Sequence, residues 1–175
     1  NKIVATVKTL KLKHVVLTSV DRDDLADGGA GIWALTIKAI RTDCPGTTIE
    51  TLIPDFGGIS MHLEKVLLEK PEIISHNLET VRRLTPDVRS ASNYERSLEV
   101  IRQIAAYGIV AKSGIMVGLG EKPGEVLQLM DDLRAVNCSI LTIGQYLQPS
   151  KHHLPVIEYI TPEQFDVYRQ VGLER

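Results

Sequence analysis

The chain has 175 residues, a formal net charge of -2 and 43% hydrophobic residues. This composition is that of an ordinary globular domain, and the length suffices for one sizeable hydrophobic core. The near-neutral charge argues against a nucleic acid or an anionic membrane surface as partner. No apolar run reaches the roughly 18 residues that a membrane span requires. We therefore expect a single globular domain.

The two cysteines, Cys44 and Cys138, are far apart and belong to no CxxC or similar ligand spacing. A disulfide framework or a thiolate metal site needs several cysteines at defined spacings. We therefore expect free thiols in a reducing compartment, and no metal site built on cysteine within this chain.

Hydrophobic periodicity divides the first half of the chain into alternating helices and strands. A helical stripe occupies 1–12, and the β-branched run Val15–Leu17 predicts a strand at 13–20 that is buried on both faces. A polar, glycine-rich loop follows at 21–31. The next predicted elements are a helix at 32–41, a strand at 47–53, a loop at 54–58, a helix around Met61–Leu67 and a short strand at 72–75.

The second half repeats the pattern after an interruption at Pro86. Ser92, with Glu95 three residues later, has the spacing of a capping box and predicts the start of a helix that stops at Gly108. A strand at 109–117 then runs into the glycine-rich turn GIMVGLGE at 114–121. The last predicted elements are a helix with Pro123 at its first position, a strand at 139–147, a loop at 148–155 and a helix opened by Thr161, Pro162 and Gln164.

This alternation predicts a parallel α/β sheet of five strands in a single domain, residues 1–175. Both an open doubly wound sheet and part of a β/α barrel fit, and in both folds ligands bind at the carboxyl ends of the strands. We expect the polar residues at these ends to converge on one mouth. They are Thr18, Ser19 and Asp21, then Asp55, then His76, Asn77 and Glu79, then the glycine-rich turn, then Gln145, Gln148, His152 and His153.

Each of these groups also has an explanation that needs no ligand. Glycines carry no Cβ, so they allow a strand simply to turn into a helix. The carboxylates of Asp21–Asp24 are explained equally well as a solvated loop or helix caps, and His152–His153 lack the i, i+4 spacing of many metal-binding histidines. Asn77 and Glu79, two residues apart at a strand end, are predicted to point the same way. An amide beside a carboxylate suits a pair of sugar hydroxyls.

Five segments taken together resemble the lipoyl synthases, a family of radical S-adenosylmethionine (SAM) enzymes. These segments are HVVLTSVDRDDLADGGA, SHNLET, YERSLEVI, KSGIMVGLGE and LTIGQYLQPSKHHLPV. They stand in the expected order and are spread over nearly the whole chain. The resemblance implies a partial (β/α) TIM-like barrel of the radical SAM type, of which the first strand is missing here.

The resemblance also implies an activity. Members of the family insert sulfur at C6 and C8 of an octanoyl group carried by a lipoyl carrier domain or by the glycine cleavage H protein. One [4Fe–4S] cluster cleaves SAM to a 5′-deoxyadenosyl radical, and a second cluster supplies the sulfur. The protein then has to position and shield cofactors that carry the hard chemistry. A cytoplasmic protein is implied, or a mitochondrial or plastid one in a eukaryote, with no nucleic-acid or membrane partner.

The family's motifs assign a set of residues to SAM. The glycine-rich turn matches the pattern G-x-[IM]-x-G-x-x-E, which shapes the adenine site. The residues implied are Gly114, Met116, Gly118 and Glu121 at the adenine, Asn77 and Glu79 at the ribose, Arg96 at the carboxylate, and Thr18 and Ser19 at the amino group. A planar guanidinium suits a carboxylate because it presents two parallel donors. By residue type alone Arg96 is a solvated helix residue, and only its place in YERSL favours a site.

The sequence departs from the family at both ends. The resemblance implies a CxxxCxxC-type motif and three more cysteines upstream, and an R-S-S-Y segment near the C-terminus, none of which the given sequence contains. We therefore expect a fragment of the catalytic core that holds neither cluster and is inactive alone. Two alternatives stay open. One is a radical SAM sulfurtransferase related to biotin synthase, which QYLQPSKHHLPV disfavours, and the other is a non-catalytic module that binds SAM or a carrier domain.

Overall fold

A computed structural model of the chain, which describes residues 2–175, has one parallel sheet of five strands. The strands are β1 (His14–Thr18), β2 (Thr48–Leu52), β3 (Ile73–Ser75), β4 (Val110–Val117) and β5 (Ile140–Gln145). Each strand pairs in parallel with the next strand along the chain, in the order β1-β2-β3-β4-β5. A doubly wound sheet would reverse its order at a switch point. The sequential order without closure therefore confirms the alternative of a partial β/α barrel.

Helices connect the strands as the alternating pattern predicts. They are α1 (Lys2–Leu10), α2 (Ala30–Asp43), α3 (Ser60–Leu67), α4 (Thr85–Val88), α5 (Tyr94–Ala106), α6 (Pro123–Ala135) and α7 (Pro162–Glu174). Short 3₁₀ turns occupy Phe56–Gly58 and Arg82–Leu84. The connections from β2 to β3 and from β3 to β4 thus carry extra turns at the edge of the sheet where ligands bind in this class of fold.

The hydrophobic core lies between the helices and one face of the sheet. The register places Thr51, Ile74 and Ala111 side by side on this face, and all three are fully buried. Ile37 of α2 and Ile104 of α5 are buried in the same way. Because side chains alternate along a strand, the neighbouring residues point to the opposite, concave face. That face carries the polar residues described below.

The prediction that β1 is buried on both faces is wrong. Val16 is 55% exposed, and His14 and Thr18 beside it are exposed as well. Val15 and Leu17 pack against the core from the other face. The reason is position, because β1 is the first strand of an open sheet and its concave face has no neighbour to cover it. A β-branched run cannot distinguish a central strand from such an edge.

Two helix starts differ in how well they were predicted. The N-cap of α5 is Asn93, whose side chain accepts a hydrogen bond from the Arg96 N–H at 2.9 Å, so the prediction of Ser92 is wrong by one residue. Asn and Ser cap about equally well, and residue type could not decide between them. The N-cap of α7 is Thr161, as predicted, with the Gln164 N–H as its donor. Pro86 stands in the first turn of α4, where its missing N–H costs nothing.

Candidate functional site

The segment that follows β3 remains attached to β4. The Glu79 N–H donates to the Gly114 carbonyl at 3.0 Å, and the Met116 N–H donates to the Glu79 carbonyl at 2.8 Å. Glu79 has a φ of 65°, in the left-handed region that costs a non-glycine residue roughly 1 kcal/mol. The alternation rule used to orient Asn77 and Glu79 assumes an extended backbone, so it does not hold at Glu79. The two hydrogen bonds to β4 set its position instead.

The side chains of Asn77 and Glu79 are not used within the described chain. Both residues are partly buried, yet neither the Asn77 carboxamide nor the Glu79 carboxylate has a hydrogen-bond or ion-pair partner among residues 2–175. Backbone strain at a residue with an uncommitted polar group is a feature that clusters at binding sites. The strand end after β3 therefore offers one carboxylate and one amide to a ligand.

Gly114 makes room for this arrangement. A Cβ on Gly114 would lie 2.9 Å from Asn77 Oδ1 and 2.9 Å from Thr142 Oγ1. Such a contact is too close for any side chain, so only glycine lets the Asn77 carboxamide lie against the backbone of β4. Thr142 pairs with Gly114 in the register of β4 and β5. Asn77, Gly114 and Thr142 thus form one layer of the concave face.

The turn after β4 is held together by its own carboxylate. Glu121 accepts hydrogen bonds from the Gly118 N–H at 2.6 Å and from the Leu119 N–H at 2.9 Å. Gly118 and Gly120 both have a φ of 98°, which glycine adopts without strain. The Glu121 side chain is therefore engaged in shaping the turn. What the turn offers to a ligand is backbone and the side chain of Leu119.

A later segment of the chain crosses over Gly118. The Ile157 N–H donates to the Gly118 carbonyl at 2.8 Å. Gln145 holds this segment from β5, since its Nε2 donates to the Glu158 carbonyl at 3.1 Å and its Oε1 accepts from the Ile160 N–H at 2.9 Å. Gln145 was predicted at the mouth, and its side chain binds the backbone of the segment 158–160 to the end of β5.

An apolar slot opens beside this turn. The slot has a volume of about 320 Å³. Its lining consists of Leu84, Asp87, Val88, Leu119, Leu154, Pro155 and Ile157. A slot with mostly aliphatic walls beside a backbone turn is a suitable environment for a flat heteroaromatic ring.

His76 does not face the mouth, and its predicted place there is wrong. The residue is fully buried on the helix side of the sheet, because the alternation that turns Ser75 to the concave face turns His76 away from it. His76 Nδ1 lies 3.0 Å from the Ile53 carbonyl, and Nε2 lies 3.0 Å from Ser97 Oγ. Burial lowers the pKa of His76. The neutral ring therefore donates to the carbonyl from Nδ1 and accepts from the Ser97 hydroxyl at Nε2.

A cavity of about 650 Å³ lies beyond the ends of β1, β2 and β3. We call it the strand-end cavity, and its lining comes from the segments 21–28, 54–62 and 88–96. Arg96 reaches it from α5, with Nε 2.6 Å from Asp55 Oδ2 and Nη2 donating to the Ala91 carbonyl at 2.9 Å. Asp55 also caps the Gly57 N–H at 2.9 Å. The predicted arginine is thus at the cavity, but part of its hydrogen-bonding capacity is already in use.

Sequence reasoning missed a second arginine in the same cavity. Arg89 Nη1 donates to the Asn77 carbonyl at 2.7 Å, and Arg89 has no carboxylate partner among residues 2–175. It follows α4 in an irregular segment with neither periodicity nor a capping pattern. No signal in the sequence could mark it, since its partner Asn77 lies 12 residues away.

Thr18 and Ser19 are not brought together with Asp55 and Arg96. Both are exposed at the end of β1 and line a smaller cavity of about 190 Å³, between β1 and the helices α1 and α2. Arg22 borders both this cavity and the strand-end cavity. The predicted convergence on one mouth therefore holds for the ends of β2 and β3 better than for the end of β1.

The loop that follows β5 contains the predicted histidine pair. His152 and His153 are both exposed. His153 Nδ1 lies 2.9 Å from Ser150 Oγ, and the His153 carbonyl accepts a hydrogen bond from Gln148 Nε2 at 2.9 Å. These contacts fit the explanation that both histidines are ordinary loop residues.

A charged pair that the sequence did not reveal lies one layer below Asn77 on the concave face. Lys112 Nζ is 2.7 Å from Glu50 Oε1, which also accepts from Ser75 Oγ at 3.0 Å. His14 Nε2 lies 3.8 Å from the other oxygen of Glu50. Three neighbouring strands and the edge strand are thus tied together under the layer of Asn77 and Gly114.

The described residues offer no ligand set for a metal cluster. Within 2–175 no three His, Cys, Asp or Glu side chains lie close enough together to hold a metal ion. Cys44 and Cys138 are both buried free thiols, and burial raises the pKa of Cys138. In the same part of the chain, no helix combines the length and the apolar character needed to traverse a lipid bilayer.

Comparison with known proteins agrees with this geometry. The model of the Radical SAM superfamily matches residues 1–133. The chain belongs to the radical SAM superfamily. Its fold is similar to that of Streptococcus suis SuiB, with a TM-score of 0.70 at 12% identity, over 99% of this chain and 38% of that one. That likeness concerns the fold alone.

Within this superfamily the chain is similar to lipoyl synthases, as its sequence motifs predicted. It is 61% identical over 173 residues to the lipoyl synthase of Bacteroides fragilis, which covers 99% of this chain and 60% of that protein. It is 58% identical over 174 residues to the mitochondrial lipoyl synthase of Nematostella vectensis, with 99% and 60% covered. The chain therefore spans about 60% of the length of these curated relatives.

Proposed function

We propose that this radical SAM chain is the SAM-binding core of a lipoyl synthase. The reaction would insert sulfur at C6 and C8 of an octanoyl group on a lipoyl carrier domain or on the glycine cleavage H protein. The observation that carries the proposal is the strand end after β3, where Asn77 and Glu79 present uncommitted polar groups beside Gly114. Similarity to lipoyl synthases over 99% of the chain supports the choice of reaction.

The ribose of SAM fits the strand end after β3. A carboxylate accepts hydrogen bonds from hydroxyls, and a carboxamide both donates and accepts them. Asn77 and Glu79 supply one of each, and both are accessible although partly buried. The two backbone hydrogen bonds between Glu79 and β4 would fix the main chain that carries the carboxylate.

The two ends of SAM fit the two neighbouring cavities. The apolar slot beside Gly118 and Leu119 has room for the adenine, with Gly114 and Met116 on the strand that leads to it. The strand-end cavity has room for the methionine part, with Arg96 for the carboxylate. The predicted place of Thr18 and Ser19 at the amino group is not part of this arrangement, because both line the smaller cavity at the end of β1 and the amino group is on the same carbon as the carboxylate.

Bound SAM would supply a 5′-deoxyadenosyl radical once it receives an electron. Residues 2–175 contain no group of three His, Cys, Asp or Glu side chains that could hold either of the two [4Fe–4S] clusters of the family. This chain's own residues hold the nucleoside at Asn77 and Glu79, orient the methionine part at Arg96 and cover the adenine with aliphatic side chains. Such walls exclude water, which protects a reactive intermediate from side reactions.

The proposed setting follows from the same reasoning. Free buried thiols and an iron–sulfur chemistry fit a reducing compartment, which is the cytoplasm, or a mitochondrion or plastid in a eukaryote. The proposed macromolecular partner is the acylated carrier protein, and no nucleic acid or membrane is involved.

The experiment uses the full-length protein with reconstituted clusters and two substrates, an octanoylated carrier domain and dethiobiotin. We expect a mass increase for two sulfur atoms on the carrier domain and no change in dethiobiotin. The opposite preference would assign the protein to the biotin synthase relatives. A protein that binds SAM but modifies neither substrate would support the non-catalytic alternative.

A variant tests the methionine end. Arg96→Ala should weaken SAM binding by about 1–3 kcal/mol, the range for hydrogen bonds between charged groups. Arg102→Ala is a matched control on the same helix, since Arg102 is exposed and, among residues 2–175, pairs with Glu99 alone. Titration calorimetry measures both affinities. An unchanged affinity for Arg96→Ala would remove this arginine from the site.

A further inference from the structure

The ion pair between Glu50 and Lys112 lies across the middle of the concave face. Lys112 of β4 is level with Ser75 of β3, and Glu50 of β2 lies two residues below them in the register. Lys112 Nζ is 2.7 Å from Glu50 Oε1, and Ser75 Oγ donates to the same oxygen at 3.0 Å. The Lys112 side chain therefore crosses in front of β3. For this reason Ser75 is only 2% exposed, although it belongs to the concave face.

This pair is deeply placed for two charged side chains. The Glu50 side chain is 8% exposed, and that of Lys112 is 25% exposed. The second oxygen of Glu50 lies 3.8 Å from His14 Nε2. A buried carboxylate that loses its partners is left as an uncompensated charge, which is strongly unfavourable. A hydrocarbon chain offers no hydrogen bonds to replace these partners, so it is excluded from the space that the pair fills.

The proposed substrate has to reach the layer directly above this pair. The reaction modifies C6 and C8 of an octanoyl group whose other end is attached to a folded carrier protein, so the chain enters from the open strand ends with its methyl end deepest. The ribose is proposed at Asn77 and Glu79, and the last carbons of the chain have to lie beside it on the concave face. Ser75 and Lys112 form the next layer. Two residues of a parallel strand place this layer about 6.6 Å deeper.

We propose that the Glu50–Lys112 pair closes the deep end of the site for the acyl chain and thereby limits the substrate to eight carbons. This inference rests on the proposed function, since the octanoyl group is the substrate in both. It adds a physical cause for the length of that group. The pair acts by excluding a ninth and a tenth carbon from the concave face, and it needs no contact with SAM.

Apolar surface resumes below the pair. Val110, two residues before Lys112 on β4, is 39% exposed, and Val16, level with Glu50 on β1, is 55% exposed. Each methylene buried against such surface favours binding by about 4-fold. Removal of both charges should therefore let a longer chain bury its additional carbons where the pair now excludes them.

A purely structural role is the competing explanation. The pair would then only tie β2 and β4 together, and its loss would disturb the sheet. The two explanations differ in their effect on substrates of different length. Loss of a structural support lowers the activity on every acyl chain alike, whereas loss of the closed end changes the preference for longer chains over the octanoyl chain.

The test therefore compares one carrier domain bearing an octanoyl or a decanoyl group, on the full-length protein with reconstituted clusters. The first variant combines Glu50→Leu with Lys112→Ala, so that no unpaired charge remains. The second combines Glu50→Gln with Lys112→Met, which keeps the side-chain volumes and an acceptor for Ser75. Lys8→Ala with Asp43→Ala is the matched control, since it removes an exposed ion pair between α1 and α2. Mass spectrometry of the carrier measures kcat/KM for sulfur insertion, and calorimetry in the presence of SAM measures the affinity for each carrier.

We expect the wild-type protein to process the decanoyl carrier at least about 10-fold less efficiently than the octanoyl carrier. The ratio of decanoyl to octanoyl kcat/KM should rise by roughly 10-fold in the first variant, which corresponds to two newly buried methylenes. The second variant should change the ratio in the same direction, and the control should leave it within about 2-fold.

Two results would overturn the proposal. One is a wild-type protein that accepts the decanoyl carrier as readily as the octanoyl carrier, and this result needs no variant. The other is an unchanged ratio in a variant whose circular dichroism spectrum shows that it is folded, and the second variant provides this measurement if the first does not fold. A wild-type protein that modifies neither carrier and binds neither would contradict the proposed function instead.

Discussion

Two neighbouring strand ends of this sheet use their polar residues in opposite ways. After β3, the side chains of Asn77 and Glu79 have no partner within the described chain, and Glu79 is held in a left-handed conformation. After β4, the carboxylate of Glu121 is fully engaged by the N–H groups of Gly118 and Leu119. The polar side chains after β3 are available to a ligand, whereas the Glu121 carboxylate after β4 stabilises the turn.

The family's motifs assign both Glu79 and Glu121 to the SAM site, but the structure gives the two glutamates different environments. A glutamate in a binding motif can contact the ligand or can build the wall that the ligand touches. Glu79 fits the first description, and Glu121 fits the second. Substitutions at these two strand ends should therefore divide between loss of binding and loss of stability.

The largest effect is expected at Gly118. Its φ of 98° disfavours any other residue, and a Cβ there would collide with Gln145 and the Glu158 carbonyl. Gly118→Ala should lower the free energy of unfolding by about 2–4 kcal/mol, from backbone strain and overpacking together. Chemical denaturation of the full-length protein measures this. The control is Gly124→Ala in α6, where nothing lies within 4 Å of the new methyl group, and which should be neutral or stabilising by up to about 1 kcal/mol.

A matched pair of substitutions then tests the comparison itself. Glu121→Gln removes the charge that orders the turn and should cost about 1–2 kcal/mol of stability. Glu79→Gln should leave the free energy of unfolding within about 0.5 kcal/mol, because no partner is lost, while SAM affinity falls roughly 10-fold or more. Denaturation and titration calorimetry on both variants give the four values. If Glu79→Gln destabilises the protein as much as Glu121→Gln does, the two strand ends do not differ in the way described.

The smallest effect concerns the pH dependence of the stability that Glu125 contributes. Glu125 lies in the first turn of α6, directly after the turn that follows β4. A hydrogen bond from Arg83, followed by one from the Lys122 N–H, lowers the pKa of Glu125 to about 2 from an ordinary 4.5. Arg83 also donates to the Gly120 carbonyl at 2.8 Å. The ionised carboxylate therefore stabilises the fold above pH 4.5, and this contribution is lost as the pH falls towards 2.

Glu125→Gln checks this expectation. The difference in unfolding free energy between wild type and variant should be constant above about pH 5 and should shrink as acid is added. The effect is small and weakened by salt, because the pair is largely exposed. A difference that grows on acidification would contradict the assigned direction.

Local patterns in the sequence predicted the fold well. Alternating helices and strands specify a parallel sheet, and the residues at strand ends could be read from the same pattern. Gly114 and Gly118 were predicted from the motif GIMVGLGE, in which glycines mark positions where another group approaches the backbone closely. Burial of β1 was predicted wrongly because the residues of a strand do not reveal whether it lies at the centre or at the edge of a sheet.

Pairings across the chain account for what the sequence could not provide. The partner of Arg96 is Asp55, 41 residues earlier, and the partner of Lys112 is Glu50, 62 residues earlier. Neither spacing has a period that a local pattern could reveal. Arg89 carries no local pattern either, since the carbonyl that it binds belongs to Asn77, 12 residues earlier.

His76 adds a consequence for the living cell. It joins the ends of β2 and β3 to α5 through the Ile53 carbonyl and the Ser97 hydroxyl, next to Asn77 and Arg96. A histidine in contact with solvent would change charge during mild acidification and would pull on these neighbours. Burial keeps this ring neutral, so the strand ends around it keep one geometry when the internal pH of a cell fluctuates. This neutral ring also makes the stability of the fold depend on pH. Below the ordinary histidine pKa of 6.5, the unfolded chain binds a proton at His76 more readily than the folded protein does, so acidification favours unfolding.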